Sequence, residues 1–154
     1  MKPVLQALLL AEHVYEDKRT GSKIICGTLN RLMRSSKPHI ESSTDSDGKE
    51  VKNARGGGVG CVHVYIGLTD VVDGTKISLQ LVDTQDNEVL MCQNIVFEKA
   101  NRLDLAEVVA VLPPVSLFAA GRNNLSMDVV WNDEILGAHR LTVVDEAPSP
   151  QGEE

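Results

Sequence analysis

Residues 124–144 read NLSMDVVWNDEILGAHRLTVV, and this stretch decides the fold class. In its first half, large apolar side chains alternate with smaller or polar ones. The residues of the apolar set are Leu125, Met127, Val129 and Trp131. Successive side chains of a β-strand point to opposite faces of a sheet, so this period of two predicts a strand with one buried face.

A turn signal follows that strand directly. Asn132, Asp133 and Glu134 interrupt the apolar pattern before a second run, ILGAHRLTVV, begins at Ile135. Asn and Asp accept the left-handed backbone that short hairpin turns require. The stretch therefore predicts a C-terminal β-hairpin.

The same alternation recurs along the chain, most clearly in KISLQLV at residues 76–82. Turn-forming residues separate the apolar runs at intervals of about 10–15 residues. Further strands are expected near residues 4–15, 22–33, 59–68, 75–83, 88–97 and 105–112. Residues 100–112 come closest to a helical spacing, but their valines favour a strand, with a short helical turn at 101–105 as an alternative. About eight strands predict an all-β, antiparallel β-sandwich.

Two stretches depart from this pattern. Residues 34–58 are rich in Ser, Gly and charged residues, so apolar burial cannot offset the entropy of ordering them. We expect a long mobile loop there, inserted into a single domain that spans residues 1–145. Residues 146–154 are predicted to be a flexible tail.

The charge of the chain argues against two classes of partner. Its 154 residues include 15 Lys and Arg against 22 Asp and Glu, a formal net charge of −7 at pH 7. Such a surface repels phosphate backbones and anionic membranes. Aromatic residues, which stack on bases in nucleic-acid-binding proteins, make up only 3%. We therefore expect neither nucleic acid nor membrane as a partner.

The N-terminus and the cysteines predict the compartment. Residues 4–11 are apolar, but Gln6 interrupts them, Glu12 follows at once and no small-x-small cleavage site is present. The segment is therefore interpreted as a first strand and not as a signal peptide. The three cysteines lie far apart within apolar runs, which suits free buried thiols in a reducing compartment. A cytoplasmic protein is predicted.

The glycine run in NARGGGVGCVHVYIG, residues 53–67, does not match a phosphate-binding loop. A dinucleotide fingerprint needs Gly-x-Gly-x-x-Gly ahead of a helix, whereas the third glycine falls here at Cys61 or His63, ahead of a strand. The Gly-Lys-Ser/Thr end of a Walker loop is also missing. We interpret the run as a hinge between the loop and the next strand, and no cofactor is predicted.

Acidic turns make calcium an alternative ligand. Asp70 and Asp73 precede the strand at 75–83, whereas Asp83 and Asp86 follow it. A strand of that length spans roughly 25 Å, so the two pairs lie at opposite ends and cannot share an ion. The histidines are isolated and show no metal-binding spacing. No metal ligand is predicted.

The candidate contact residues lie around the strand that follows the glycines. His63 and Tyr65 alternate with valines and an isoleucine, which places both on the less apolar face of that strand. Together with Arg55, they are the predicted interaction surface. No catalytic residue is predicted, because no nucleophile elbow or similar motif occurs.

Three stretches of the chain are similar to one family. KPVLQALLLAEHVYEDKRTGSKIICGTLNRL at 2–32, VYIGLTDVVDGTKISLQLVD at 64–83 and WNDEILGAHRLTVV at 131–144 resemble a family of small bacterial proteins of unknown function. The resemblance covers most of the chain and implies an immunoglobulin-like or C2-like β-sandwich. It supplies no activity, cofactor or catalytic residue, and the long segment at 34–58 departs from the shorter connection expected for the family.

These observations predict a non-enzymatic β-sandwich module that acts through protein contacts, with self-association as one form. A calcium- or glycan-binding sandwich domain is the first alternative. An enzyme whose site is assembled from distant residues is the second.

Overall fold

The computed structural model describes residues 1–34, 39–44, 50–55, 62–113 and 121–145, and the strands in these ranges confirm the all-β class. In chain order the strands are β1 Val4–Glu16, β2 Lys23–Leu29, β3 Arg31–Arg34, β4 His39–Thr44, β5 Glu50–Arg55, β6 Val62–Thr69, β7 Lys76–Asp83, β8 Val89–Val96, β9 Ala106–Leu112, β10 Asn124–Trp131 and β11 Glu134–Asp145. The described residues thus hold more strands than the eight expected.

Two main sheets contain all of these strands except β4 and β5. Sheet A has the order β2-β1-β6-β9 and is antiparallel throughout, whereas sheet B has the order β3-β11-β10-β7-β8. In sheet B, β3 and β11 run parallel, with Arg31 opposite Thr142. The prediction of a purely antiparallel structure is wrong at this edge. The reason is that β3 follows β2 directly in the chain but pairs in sheet B with β11, which runs in the same direction as β3.

One hydrophobic core lies between the two sheets. Val64, Ile66 and Leu68 enter it from β6, and Leu79 and Leu81 enter it from β7; all five are buried. Each set occupies alternate positions of its strand, as the period of two requires. Burial of apolar surface contributes about 25 cal/mol per Å². This shared layer therefore holds the two sheets together.

The C-terminal hairpin forms as predicted. β10 pairs antiparallel with β11, and the two residues of the turn are Asn132 at φ 47° and Asp133 at φ 63°. Positive φ at both central positions is the geometry of a primed hairpin turn, whose twist matches that of the flanking strands. Asn and Asp tolerate this region better than other non-glycine residues.

The strand predicted at 22–33 is two strands in two different sheets. β2 belongs to sheet A and β3 to sheet B, with Asn30 between them. The backbone oxygen of Asn30 accepts a hydrogen bond of 2.9 Å from the backbone N–H of Thr142 in β11. The inward-facing positions change phase at this crossing, since Leu29 in β2 and Leu32 in β3 both pack in the core although they are three residues apart.

Part of the segment expected to be a loop has regular structure. β4 and β5 pair antiparallel with each other, from His39 opposite Arg55 to Thr44 opposite Glu50. A ladder of this kind uses only backbone hydrogen bonds, so a low apolar content does not prevent it. The segment expected to be a loop therefore contains two paired strands. The mobility of the insertion stays a prediction. The glycines at 56–60 and the tail at 146–154 lie outside the described residues.

Candidate functional site

His63 and Tyr65 lie on the face of sheet A that points away from the core. Their neighbours Val64 and Ile66 are fully buried in the core, and side chains alternate along a strand. Directly opposed residues of an antiparallel pair share a face, so the register extends this face across all four strands. We call it the outer face of sheet A; its residues are Ala7, Leu9, Ala11, His13, Tyr15, Ile24, Cys26, Thr28, His63, Tyr65, Gly67, Glu107, Val109 and Val111.

The outer face of sheet A is apolar and partly exposed. Tyr15 is 53% exposed, and Ile24 and Val111 are each 51% exposed. Leu105, from the turn before β9, is also exposed and extends over Gly67. Apolar side chains exposed singly are ordinary on protein surfaces, whereas contiguous exposed apolar patches are typical of contact sites.

Tyr65 is only 7% exposed although it points away from the core. The phenol oxygen lies 3.4 Å from the position that a Cβ on Gly67 would occupy, so the ring extends along the sheet toward this glycine. The hydroxyl donates a hydrogen bond of 2.6 Å to Oε1 of Glu107 on β9. Because Gly67 has no side chain, a slot is left above it, and the Tyr65 ring extends into this slot.

This environment raises the pKa of Tyr65 from 10.0 to about 12. Burial is the largest cause, because it disfavours the charged phenolate. The hydrogen bond to Glu107 and the negative charge of that carboxylate act in the same direction. Tyr65 therefore stays protonated at neutral pH and acts as a hydrogen-bond donor, not as a base.

Two histidines lie next to each other on the same face. The ring centroids of His13 and His63 are 6.3 Å apart, and His13 stacks on Tyr15 with centroids 5.7 Å apart. Nδ1 of His63 lies 3.0 Å from the backbone oxygen of Glu12. A carbonyl oxygen can only accept, so Nδ1 donates and Nε2 is the acceptor of the neutral ring. The pair adds polar atoms to an otherwise apolar surface.

His139 lies apart from these groups, in sheet B, where its Nε2 is 3.1 Å from the backbone oxygen of Leu29. In the described part of the chain, the hydrogen bonds of His63 and His139 lead to backbone oxygens. A histidine that acts as a base for a nucleophile is instead hydrogen-bonded to the side chain of that nucleophile. Within the described ranges, no group of three or more His, Cys, Asp or Glu side chains is arranged to hold a metal ion. The chemistry that the outer face of sheet A offers is apolar contact and hydrogen bonding.

The acidic turns considered for calcium are bound to groups of the chain itself. Asp70 accepts a hydrogen bond of 2.8 Å from Nε of Arg102, and Asp73 accepts one of 2.8 Å from the backbone N–H of Lys99. These two turns lie at one end of β7. At its other end, one guanidinium, that of Arg122, contacts the carboxylates of Asp83, Asp86 and Glu88. The carboxylates of Asp70, Asp83, Asp86 and Glu88 are thus already paired with arginine cations.

The structure brings together two of the three predicted contact residues. His63 and Tyr65 share the outer face of sheet A, whereas Arg55 lies in β5 opposite His39, and its side chain is outside the described part of the chain. The face is also more apolar than the alternation in β6 alone suggested, because β1, β2 and β9 contribute most of its apolar side chains. Sequence reasoning missed His13 and Glu107. The register of β1 places His13 beside His63, and the register of β9 places Glu107 within hydrogen-bond distance of Tyr65.

The structure describes two of the three cysteines, whereas Cys61 lies outside the described residues. Cys26 and Cys92 are free thiols. Cys92 is exposed and Cys26 is half-buried, whereas buried thiols were expected. Cys92 is exposed because it pairs with Gln80, which lies on the face of sheet B that points away from the core. The described residues contain no helix that is long and apolar enough to cross a membrane.

Comparison with protein-family models and with curated proteins finds no match to this chain. The resemblance to a family of small bacterial proteins stays a prediction.

Proposed function

We propose that this protein is a non-enzymatic module that acts through protein contacts made by the outer face of sheet A. The observation that carries the proposal is the group of exposed apolar side chains on that face, Tyr15, Ile24 and Val111 among them. The opposite face of the same sheet already supplies the core, so this second apolar face has no role in closing the fold. Covering it with a partner removes apolar surface from water.

The polar groups of the face support a contact role as well. Tyr65 is held by Glu107, and His63 by the backbone of Glu12, so these side chains lose little conformational freedom when a partner binds. Aromatic residues with one polar end are typical of the centres of protein interfaces. We infer that His63 orients the partner, that Tyr65 supports the surface from within the sheet, and that the exposed apolar residues supply most of the affinity.

We further propose an immunoglobulin-like or C2-like arrangement of the sandwich and a cytoplasmic location. The two sheets around one core support the first proposal. The free thiols of Cys26 and Cys92 support the second, since such cysteines suit a reducing compartment.

Site-specific photo-crosslinking tests the contact role. A photoreactive amino acid is placed at Ile24 or Val111 on the outer face of sheet A, and at Lys76, an exposed position on the opposite surface of sheet B, as the control. After irradiation in cells, we expect the same discrete cross-linked protein from the first two positions and none from Lys76. Equal labelling at all three positions, or none at any, would refute the proposal.

A further inference from the structure

We propose that His13 and His63 together bind one divalent transition-metal ion of the zinc class, with water in its remaining coordination positions. The site lies on the outer face of sheet A, but it does not depend on the proposed protein contacts, because its ligands are imidazole nitrogens and not apolar side chains. It is carried by the proximity of the two rings, by the hydrogen bond that orients one of them and by the charge around them.

The pairing of β1 with β6 brings the two rings together. Ala11 is the register partner of His63, so His13, two residues further along β1, is the diagonal neighbour of His63 on the same face. The ring centroids are 6.3 Å apart. Two imidazoles on one tetrahedral zinc ion, with Zn–N distances of about 2.0–2.1 Å, have ring centroids about 5 Å apart. A side-chain rotation of His13, which is exposed, closes the remaining distance of about 1 Å.

A hydrogen bond holds His63 in the tautomer that a metal ion requires. Its Nδ1 donates to the backbone oxygen of Glu12 over 3.0 Å, so the lone pair is on Nε2. Metal-binding histidines almost always donate their other ring N–H to a backbone carbonyl or a carboxylate, which fixes the orientation of the ring. His63 therefore has the support of a metal ligand before an ion binds.

Cations can reach this pair, and its surroundings favour them. His13 is exposed and His63 is half-buried. Among the described residues of the outer face of sheet A, none is Lys or Arg. The formal net charge of the chain is −7, so its average field attracts cations.

The donor atoms select the class of ion. Imidazole nitrogens suit zinc, copper and nickel, whereas calcium and magnesium require oxygen ligands. Two protein ligands are fewer than the four of a structural zinc site, so water completes the coordination and the fold does not depend on the ion. The site is thus distinct in chemistry from the acidic turns considered for calcium.

Calorimetric titration with zinc chloride tests the site, and the chain offers a matched control. His139 is also hydrogen-bonded to a backbone oxygen, that of Leu29, but lies in sheet B. We expect His13→Gln and His63→Gln each to weaken zinc binding by roughly tenfold or more, since loss of even an outer-shell partner costs about 10–100-fold. His139→Gln should leave the affinity unchanged. Circular dichroism and Tm show whether each variant remains folded.

A second readout needs no substitution. In NMR spectra of wild type, zinc should shift the ring signals of His13 and His63 and leave those of His139 in place. The comparison between residues is decisive because the free thiols of Cys26 and Cys92 are also able to bind zinc.

Two outcomes would overturn the site. One is a wild type that binds no zinc at millimolar concentration, and the other is zinc binding that His13→Gln and His63→Gln weaken no more than His139→Gln does. If cross-links from Ile24 and Val111 persist in a protein that binds no zinc, the metal site is refuted and the proposed contact function is kept.

Discussion

Gly67 illustrates at the scale of single residues how a missing side chain shapes the surface. The ring of Tyr65 extends toward Gly67, and its hydroxyl reaches Glu107 on the next strand. A side chain longer than that of alanine at position 67 would enter the same space. One glycine therefore accounts for a tyrosine that is buried on an outward face, with a raised pKa.

The ionisation of Tyr65 provides a direct measurement of this arrangement. In a spectrophotometric titration, the difference between wild type and Tyr65→Phe should show a phenol midpoint of about 12. Glu107→Gln removes the carboxylate charge, so the pKa of Tyr65 should fall toward 10.0. It should not reach that value, because burial is the largest cause and remains. A wild-type midpoint at 10 would contradict the buried, hydrogen-bonded phenol.

The same pKa shift predicts how stability depends on pH. The folded state holds the pKa of Tyr65 at about 12, above the unfolded value of 10.0. The stabilisation that Tyr65 supplies is therefore complete below pH 10 and is lost as the pH rises through 12. Urea unfolding across this range should show the advantage of wild type over Tyr65→Phe shrinking with pH. A constant difference between the two proteins would speak against the shift.

Substitutions at Gly67 test the slot itself. Gly67→Val should displace the Tyr65 ring, lower the pKa of Tyr65 and reduce the free energy of unfolding by about 1–3 kcal/mol, the usual cost of overpacking. Gly67→Ala is the matched control, since its Cβ would lie 3.4 Å from the Tyr65 oxygen and 3.5 Å from Leu105, ordinary contact distances. If alanine and valine have equal effects on the titration, the slot does not control Tyr65.

At the scale of elements, the contact between β1 and β11 joins the two sheets at one end of the core. Leu5 lies at a register shift in β1, and Gly137 lies beside a register shift in β11. Gly137 is opposite Val129, a fully buried core residue, so its side of the strand faces the core. Leu5 fills the space that a side chain at Gly137 would occupy.

A double-mutant cycle measures this packing. A Cβ at position 137 would lie 2.3 Å from Cδ2 of Leu5, so Gly137→Ala should lower the free energy of unfolding by about 1–3 kcal/mol. In a Leu5→Ala background the same substitution should cost less, because the space is then open. The two changes should therefore couple by about 0.5–3 kcal/mol. Simple additivity in urea denaturation would show that the two residues do not compete for this space.

At the scale of the whole molecule, both sheets depend on one core. Trp131 in β10 packs against the buried cluster from sheet B, and Tyr65 lies on sheet A. Neither sheet has a separate core among the described residues. Single domains of about this size with one core usually unfold in one cooperative transition.

We therefore expect sheet A and sheet B to unfold together. Trp131 fluorescence reports on sheet B, and the absorbance difference between wild type and Tyr65→Phe reports on sheet A. Both signals should give one urea midpoint, which far-UV circular dichroism should share. Two separate midpoints would show that the sheets are stable independently.

The sequence alone determined the all-β class, the C-terminal hairpin and most strand positions, because alternation and turn chemistry are local properties of a chain. It could not show that residues 22–33 cross between sheets, since the crossing depends on pairing with two distant strands, β1 before Asn30 and β11 after it. The sequence also could not predict which residues share the outer face of sheet A, because β1, β6 and β9 are neighbours in space but not along the chain. Only the register of these strands places His13 beside His63, and Glu107 within reach of Tyr65. Long-range pairing decided the candidate site, whereas local patterns decided the strands that carry it.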